Sequence, residues 1–197
     1  MFTSTPGPLR RRRFAPVAVI VASAVAAAIV VIASTTSPPS VRLTSGEPIA
    51  IAQGVSIVPA PGWTLGRRGP NWVALSNADL SAQMRVTVKP AGGTDAVAVL
   101  QADKDQLAGT ASAVLGNVRE VSEPRTRTLP GPKFQQEASI DYTADVLAPE
   151  GAIPVIGTFT ELLNTSNQQS AFVDYRQDNN ATPQAAGDGG MMIRSME

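Results

Sequence analysis

The sequence predicts an α+β fold in which a mostly antiparallel sheet packs against one or two helices, preceded by an N-terminal transmembrane helix. Several segments alternate apolar and polar residues with a period of two, which is typical of strands with one solvated face. Few segments show a helical pattern, and this shortage argues against a doubly wound parallel sheet. An uncharged apolar run near the N-terminus is long enough to span a bilayer.

The transmembrane helix is predicted over residues 14–33, which contain no charged side chain. At 1.5 Å per residue this run spans about 30 Å, the thickness of the hydrocarbon core of a bilayer. Four arginines precede it and determine the topology by the positive-inside rule: Arg10, Arg11, Arg12 and Arg13. Residues 1–13 are therefore predicted to be a cytoplasmic tail, and the rest of this single-pass plasma-membrane protein is extracytoplasmic. A cleaved signal peptide is the alternative, and it also exports the domain.

Residues 34–48 are rich in Ser, Thr and Pro and are predicted to form a stalk, followed by an α+β domain over residues 49–197. The first strand pattern covers 49–58 and is interrupted by Gly54. It leads into a proline-glycine turn that ends at Trp63. Residues 72–76 and 82–89 then resemble a hairpin.

One helix is predicted over residues 94–108, with Thr94 as its N-cap and Gly109 as its stop. Alternating patterns predict the remaining strands over 118–128, 134–146, 155–163 and 171–175. Residues 179–190 are predicted to be a loop, and 191–196 the start of a last helix.

Composition excludes most catalytic chemistry. The chain has neither histidine nor cysteine, so a Ser–His–Asp triad, a thiol nucleophile, a disulfide and the usual zinc sites are absent. Asp141 and Asp145 share the solvated face of a strand. Glu161 interrupts an apolar strand pattern and is predicted to lie at a sheet edge, with a buried acid as the alternative. No catalytic residue, cofactor or metal ligand is assigned, so the protein is not expected to be an enzyme.

Net charge argues against a nucleic-acid partner. Lys and Arg number 16, as do Asp and Glu, but four of the basic residues lie in the N-terminal block. The remaining 16 − 4 = 12 basic residues face 16 acidic ones, so the body of the chain is mildly acidic.

One group of residues is a candidate for partner binding. Trp and Arg are enriched at binding hot spots, and the only two tryptophans bracket a pair of arginines. The candidate contact residues are Trp63, Arg67, Arg68 and Trp72. The alternative interpretation places both tryptophans in the core and leaves the arginines solvated.

The order of elements, together with the segment Val58-Pro59-Ala60-Pro61-Gly62-Trp63, resembles the Mog1/PsbP-like fold. More narrowly, the chain resembles exported mycobacterial proteins of the LpqN and LpqT type, over roughly residues 49–196. Ile193-Arg194-Ser195-Met196 stands where the closing helix of that family would be. The resemblance implies a non-enzymatic cell-envelope protein that binds partners, envelope lipids or lipid-handling machinery. Those proteins are lipidated on cysteine, so here a transmembrane helix would replace the lipid.

These observations predict a membrane-anchored extracytoplasmic binding or accessory protein of the cell envelope that acts by contact with another envelope protein. The alternative is a carrier or sensor of an apolar envelope ligand, such as a lipid, held between the sheet and a helix.

Overall fold

The computed structural model describes residues 46–110, 115–149 and 151–197. The arginine block at residues 10–13, the apolar run at 14–33 and most of the stalk lie outside these ranges. Within the described ranges, neither helix is both long enough and apolar enough to cross a membrane. The predicted transmembrane helix therefore stays a prediction.

The described residues form ten strands and two helices in the following order. They are β1 (Ile49–Ala52), β2 (Val55–Ile57), β3 (Thr64–Arg68), β4 (Trp72–Ser76), β5 (Ala82–Pro90), α1 (Ala96–Thr110), β6 (Leu115–Glu120), β7 (Arg125–Thr128), β8 (Gln136–Ala148), β9 (Gly151–Asn164), β10 (Gln169–Asp178) and α2 (Pro183–Arg194).

Eight of these strands form one sheet in the order β3-β4-β5-β10-β9-β8-β6, with β7 also pairing with β8. Strands β1 and β2 form a separate two-stranded hairpin. Every pairing among the described strands is antiparallel. The α+β fold with a mostly antiparallel sheet and two helices is thus confirmed.

The two faces of the large sheet carry different cores. On one face, which we call the α2 face, Val73, Val86 and Val173 pack with Met192 of α2 and with the β1–β2 hairpin. On the opposite α1 face, Leu100 of α1 packs against Phe159 and other apolar side chains of β8, β9 and β10. The period-two pattern of the strands thus separates an α2-side core from an α1-side core.

Two turns follow directly from their residues. Gln53 and Gly54 both have positive φ (52° and 80°), which the tight turn between β1 and β2 requires. Pro61 and Gly62 occupy the centre of a turn closed by the bond from the Trp63 amide to the Ala60 carbonyl at 3.0 Å, with φ at Gly62 of 82°. Proline followed by a left-handed glycine is the sequence that a type II turn favours.

Four predicted elements need correction, and one strand was not predicted. The strand pattern over 49–58 is a hairpin of two strands, β1 and β2. Residues 64–68 form the edge strand β3, although Gly66 and the polar pair after it break the alternating pattern. The predicted strand over 118–128 is two strands, β6 and β7, which both pair with β8. Helix α1 begins at Ala96 and continues past Gly109. Most of the predicted loop over 179–190 belongs to α2, which begins with Pro183 at its first turn.

Candidate functional site

The α1 face of the sheet is open over β3, β4 and β5. Side chains of β4 alternate between half-buried and fully buried, and the half-buried ones lie on the α1 face. On β5, exposed and half-buried residues alternate with buried ones in the same way. We call this open area the arginine face and define it by six residues: Arg67, Trp72, Ala74, Ser76, Arg85 and Arg176.

Strand register brings these residues together. Ala74 is the cross-strand partner of Arg67 on one side and of Arg85 on the other, and Arg85 is in turn opposite Asp174. Cross-strand partners project from the same face of a sheet, so the two arginines flank a small side chain. In the next row, Ser76 lies opposite Gln83, which lies opposite Arg176. The result is a floor of small residues bordered by guanidinium groups.

Trp72 and Arg85 form a stacked pair on this face. The guanidinium carbon of Arg85 lies 4.4 Å from the centre of the Trp72 ring, within the range of a cation–π interaction. The indole packs so closely over Gly69 that a Cβ at that position would overlap it. The indole of Trp72 therefore packs against Gly69 in the turn between β3 and β4, and the Arg85 guanidinium stacks on the same ring.

Among the described residues, one carboxylate lies close to these arginines. Asp174 is buried, accepts a hydrogen bond from the Tyr142 hydroxyl at 2.6 Å and lies 4.0 Å from the Arg176 guanidinium. Burial and this carboxylate raise the pKa of Tyr142 well above its usual value. Partial desolvation lowers the pKa of Arg85, Asp174 opposes that effect, and Arg176 and Arg67 lower the pKa further. The positive charges of Arg67 and Arg176 are therefore close enough to Arg85 to repel its charge.

The structure separates the four residues that the sequence grouped. Arg67 and Trp72 lie on the arginine face. Arg68, although exposed, is opposite Val73, whose side chain is buried in the α2-side core, so its side chain leaves the strand on the other side. Trp63 is also on the α2 side, where it is only 3% exposed.

Trp63 has a structural role. Its indole nitrogen donates to Asp188 Oδ2 on α2 at 3.0 Å, and its ring lies 6.4 Å from that of Tyr175. Burial and the Asp188 carboxylate raise the pKa of Tyr175 to about 12. Trp63 thus ties α2 to the sheet and offers no surface to a partner. Sequence reasoning did not identify Arg85 and Arg176, which lie on β5 and β10; the exposed arginine within the regular pattern of β5 was the signal for Arg85.

A second polar cluster is buried between α1 and the sheet. Glu161 on β9 is fully buried, close to Asp103 on α1, Lys89 on β5 and Ser170 on β10. Lys89 forms an ion pair with Asp103. Burial, followed by the Asp103 charge, raises the pKa of Glu161 to about 9, so this side chain is neutral at pH 7. The predicted edge position of Glu161 is therefore wrong, because β9 lies between β10 and β8.

The other carboxylates considered as catalytic candidates have structural partners. Both oxygens of Asp141 accept from Arg125, at 2.6 and 2.8 Å, and Thr158 donates to the same side chain. The hydrogen bond from Arg125 holds the pKa of Asp141 below its usual value. Asp145 accepts from Asn117 at 2.7 Å. In the part of the chain that the structure describes, no three carboxylates converge on a metal site.

The space between α1 and the sheet is filled by aromatic rings. Tyr142 and Phe159 stack with their centres 4.0 Å apart, and Phe172 lies 5.7 Å from Phe159. At the C-terminus, Met192 and Met196 are fully buried in the α2-side core, whereas Met191 is exposed. The segment over residues 191–196, which contains these three methionines, therefore serves mainly to close the core.

Comparison with known proteins identifies the fold. No protein-family model matches the chain, and neither does any curated protein. Among solved structures, the Ran-binding protein Mog1p of Saccharomyces cerevisiae is 10% identical with a TM-score of 0.49, covering 77% of this chain and 93% of that chain. A mutant of the protein Mog1 is 11% identical with a TM-score of 0.50, covering 76% and 93%. The fold is Mog1-like.

A third structure, from Bacteroides thetaiotaomicron, has a TM-score of 0.34 at 13% identity and covers 78% of this chain and 48% of that chain. The likeness to the Mog1 mutant, at 11% identity, establishes the fold alone. The expected Mog1/PsbP-like fold is confirmed, and the narrower resemblance to LpqN and LpqT proteins stays a prediction.

Proposed function

We propose that this protein is a non-catalytic binding or accessory domain that acts by contact with another protein through the arginine face. The observation that carries the proposal is the stacked pair of half-buried Trp72 and exposed Arg85 on an open part of the sheet, next to Arg67 and Arg176. Tryptophan and arginine contribute more binding energy at protein interfaces than most other residues. Elsewhere on this sheet face, α1 covers strands β8 and β9.

The proposal includes the location predicted from the sequence. The domain would be tethered by the helix at residues 14–33 to the outer side of the plasma membrane, with the arginine block inside. Its partner would then be another protein of the cell envelope. The resemblance to LpqN and LpqT proteins agrees with this location, with a protein helix in place of their lipid anchor.

Lack of catalysis is supported by the surroundings of the acidic residues. Asp141 and Asp145 are engaged by Arg125 and Asn117, and Glu161 is sealed beneath α1. A general acid must reach the atom that it protonates, within about 3 Å or through one water molecule. These carboxylates fit structural roles better than catalytic ones.

Protein contact is favoured over the carrier of an apolar ligand. That alternative places the ligand between the sheet and a helix, where the stacked rings of Tyr142 and Phe159 lie in the structure. Apolar-ligand sites are concave and leave room for the ligand among their lining side chains. A ligand at this position would have to displace close-packed aromatic rings, which is costly.

Photo-crosslinking in cells tests the proposed contact. A benzophenone amino acid replaces Gln83, which is exposed and lies between Ser76 and Arg176 of the arginine face, in the full-length chain. The matched control carries the same probe at Gln184, an exposed glutamine of α2 on the other side of the sheet. We expect one dominant envelope protein to be captured from position 83 and not from position 184. Equal capture from both positions, or none from position 83 of a folded chain, would contradict the proposal.

A further inference from the structure

We infer that the arginine face binds an acidic segment of its partner protein, one that presents carboxylates to Arg67 and Arg85. This inference rests on the proposed function, because it specifies the chemistry of the partner at the same surface.

The arginine face is a local excess of positive charge on an acidic body. Outside the N-terminal block the chain has 12 basic and 16 acidic residues. Three arginines lie on this face with one nearby carboxylate, that of Asp174, which is buried and already accepts a bond from the Tyr142 hydroxyl. A patch of opposite sign on such a body attracts anionic groups to one place and repels them elsewhere.

Arg67 and Arg85 have no ion-pair partner among the described residues, unlike Arg176, which lies 4.0 Å from Asp174, and unlike four basic residues elsewhere in the domain. Arg125 contacts Asp141, and Arg127 contacts both Glu137 and Glu197. Two lysines are also paired, Lys89 with Asp103 and Lys104 with Glu120. By contrast, neither Arg67 nor Arg85 has a carboxylate within ion-pair distance among the described residues. Their guanidinium groups are thus free to bind carboxylates of a partner.

Two of the arginines are held ready for binding. Arg85 stacks on Trp72, and Arg176 donates to Gln83 Oε1 at 3.2 Å while lying near Asp174. A side chain that is already ordered loses less entropy when a partner arrives. The planar guanidinium group also matches the geometry of a carboxylate, with which it can form two parallel hydrogen bonds.

Spacing favours a partner segment with regularly placed carboxylates. Arg67 and Arg85 lie on strands that are separated only by β4, so their backbones are about 10 Å apart. Two turns of an α-helix rise about 10.8 Å, so acidic residues two turns apart on one helix face could reach both arginines. The small side chains of Ala74 and Ser76 form the floor between them and allow close approach.

Other anionic partners fit this surface less well. Specific DNA-binding proteins commonly neutralise about 6–10 phosphates, and the anionic membrane surface is usually recognised by clusters of 4–8 basic residues. The arginine face offers three guanidinium groups, and Asp174 offsets part of their charge. An acidic protein segment needs fewer cations and can also contact the accessible part of the half-buried Trp72 side chain.

Charge reversal on either side of one strand tests the inference. The full-length chain with the probe at Gln83 is compared with versions that also carry Arg67→Glu or Arg68→Glu. Both substitutions make the same charge change on exposed, adjacent residues of β3, but only Arg67 faces the arginine face. We expect Arg67→Glu to lower the yield of the crosslinked partner about tenfold and Arg68→Glu to change it less than about twofold. The crosslinked partner peptide should contain clustered Asp or Glu residues.

Several results would overturn the inference while leaving the proposed function standing. These are equal effects of the two charge reversals, no effect of either, or a captured protein peptide without clustered acidic residues. A lipid adduct in place of a peptide would mean that a membrane surface is the occupant, and it would contradict both proposals. If no protein is captured by the probe at position 83 in the otherwise unchanged, folded chain, the proposed function itself is contradicted. If Arg67→Glu disturbs folding, Arg67→Gln against Arg68→Gln makes the same comparison.

Discussion

At the scale of single residues, Glu161 is a buried acid whose protonated form is favoured by the folded state. It lies on the interior strand β9, and Asp103 and Lys89 are the charged groups around it. Because Lys89 is paired with Asp103, a negative charge at Glu161 would have no cation of its own. A proton on Glu161 removes that charge and makes the carboxyl group a donor as well as an acceptor.

We predict that Glu161→Gln stabilises the protein increasingly as pH rises. The pKa of Glu161 is about 9 in the folded chain and 4.5 in the unfolded chain. Between these values the folded state holds one more proton than the unfolded state, so the free energy of unfolding falls with rising pH by up to about 1.4 kcal/mol per unit. The loss begins near pH 4.5 and is complete above about pH 9. Glutamine cannot ionise and keeps both a donor and an acceptor.

Urea unfolding at pH 5, 7 and 9, followed by tryptophan fluorescence, measures this difference. The stability of the Glu161→Gln variant should exceed that of the natural chain by more at pH 9 than at pH 5. Glu123→Gln is the matched control, because it removes the same group from an exposed loop. Parallel pH curves for the natural chain and the Glu161→Gln variant would show that Glu161 ionises normally in the fold.

At the scale of elements, the sequence predicts strands better than helix boundaries. Strand β8 alternates buried Ile140, Tyr142 and Ala144 with more accessible residues, and this pattern is visible in the sequence because each face has a different environment. Strand β3 lacks such a contrast, because it is a short edge strand containing Gly66 and two exposed arginines. Its position became clear only from its pairing with β4.

Helix α2 escaped prediction because its sequence is unfavourable to helices. It contains Gly187, Gly189 and Gly190, and glycine in a helix costs about 1 kcal/mol relative to alanine. Tertiary contacts explain these residues in part, since a Cβ at Gly189 would meet the ring of Tyr175 at 2.7 Å. The close approach of α2 to the sheet therefore outweighs the local preference, and no local pattern reports such a contact.

The beginning of α1 provides a prediction about this element. Asp95 Oδ1 accepts from the amide of Ala98 at 2.8 Å, which is the bond of an N-cap residue, and Gln136 of β8 accepts from the amide of Ala96 at 3.1 Å. We expect Asp95→Ala to lower the free energy of unfolding by about 1 kcal/mol. Thr94→Ala should have a much smaller effect, although the sequence favoured Thr94 as the cap. Urea unfolding of both variants decides between them, and a larger loss for Thr94→Ala would assign the cap to threonine.

At the scale of the whole molecule, the candidate site combines residues that are remote in sequence. Arg67 and Trp72 are near neighbours in the chain, and their grouping was visible as a cluster of tryptophan and arginine. Arg85 and Arg176 join them only because β5 lies between β4 and β10 in the sheet. Trp63 is directed away because the turn at Pro61 and Gly62 places it on the α2 side. Strand order and register, which composition does not reveal, therefore decided which part of the predicted surface stays together.

The orientation of the whole chain can be tested through its lack of cysteine, because any single cysteine introduced into it is unique. We predict that Ala186→Cys, at an exposed position of α2, reacts with a membrane-impermeant maleimide in intact cells. Thr3→Cys should react only after the membrane is permeabilised, because positive charge beside an apolar run keeps that end inside. Both variants should give a product with the mass of the full chain.

The same experiment separates the retained helix from the cleaved signal peptide. After cleavage, residue 3 would be lost from the exported protein, so the mature Thr3→Cys product would not be labelled even in permeabilised cells, and its mass would be lower. Protection of Ala186→Cys in intact cells would instead place the domain inside and contradict both forms of export. In that case the arginine face would meet cytoplasmic proteins, and the partner captured from position 83 should come from that compartment. The topology measurement thus determines in which set of proteins the acidic partner is to be sought.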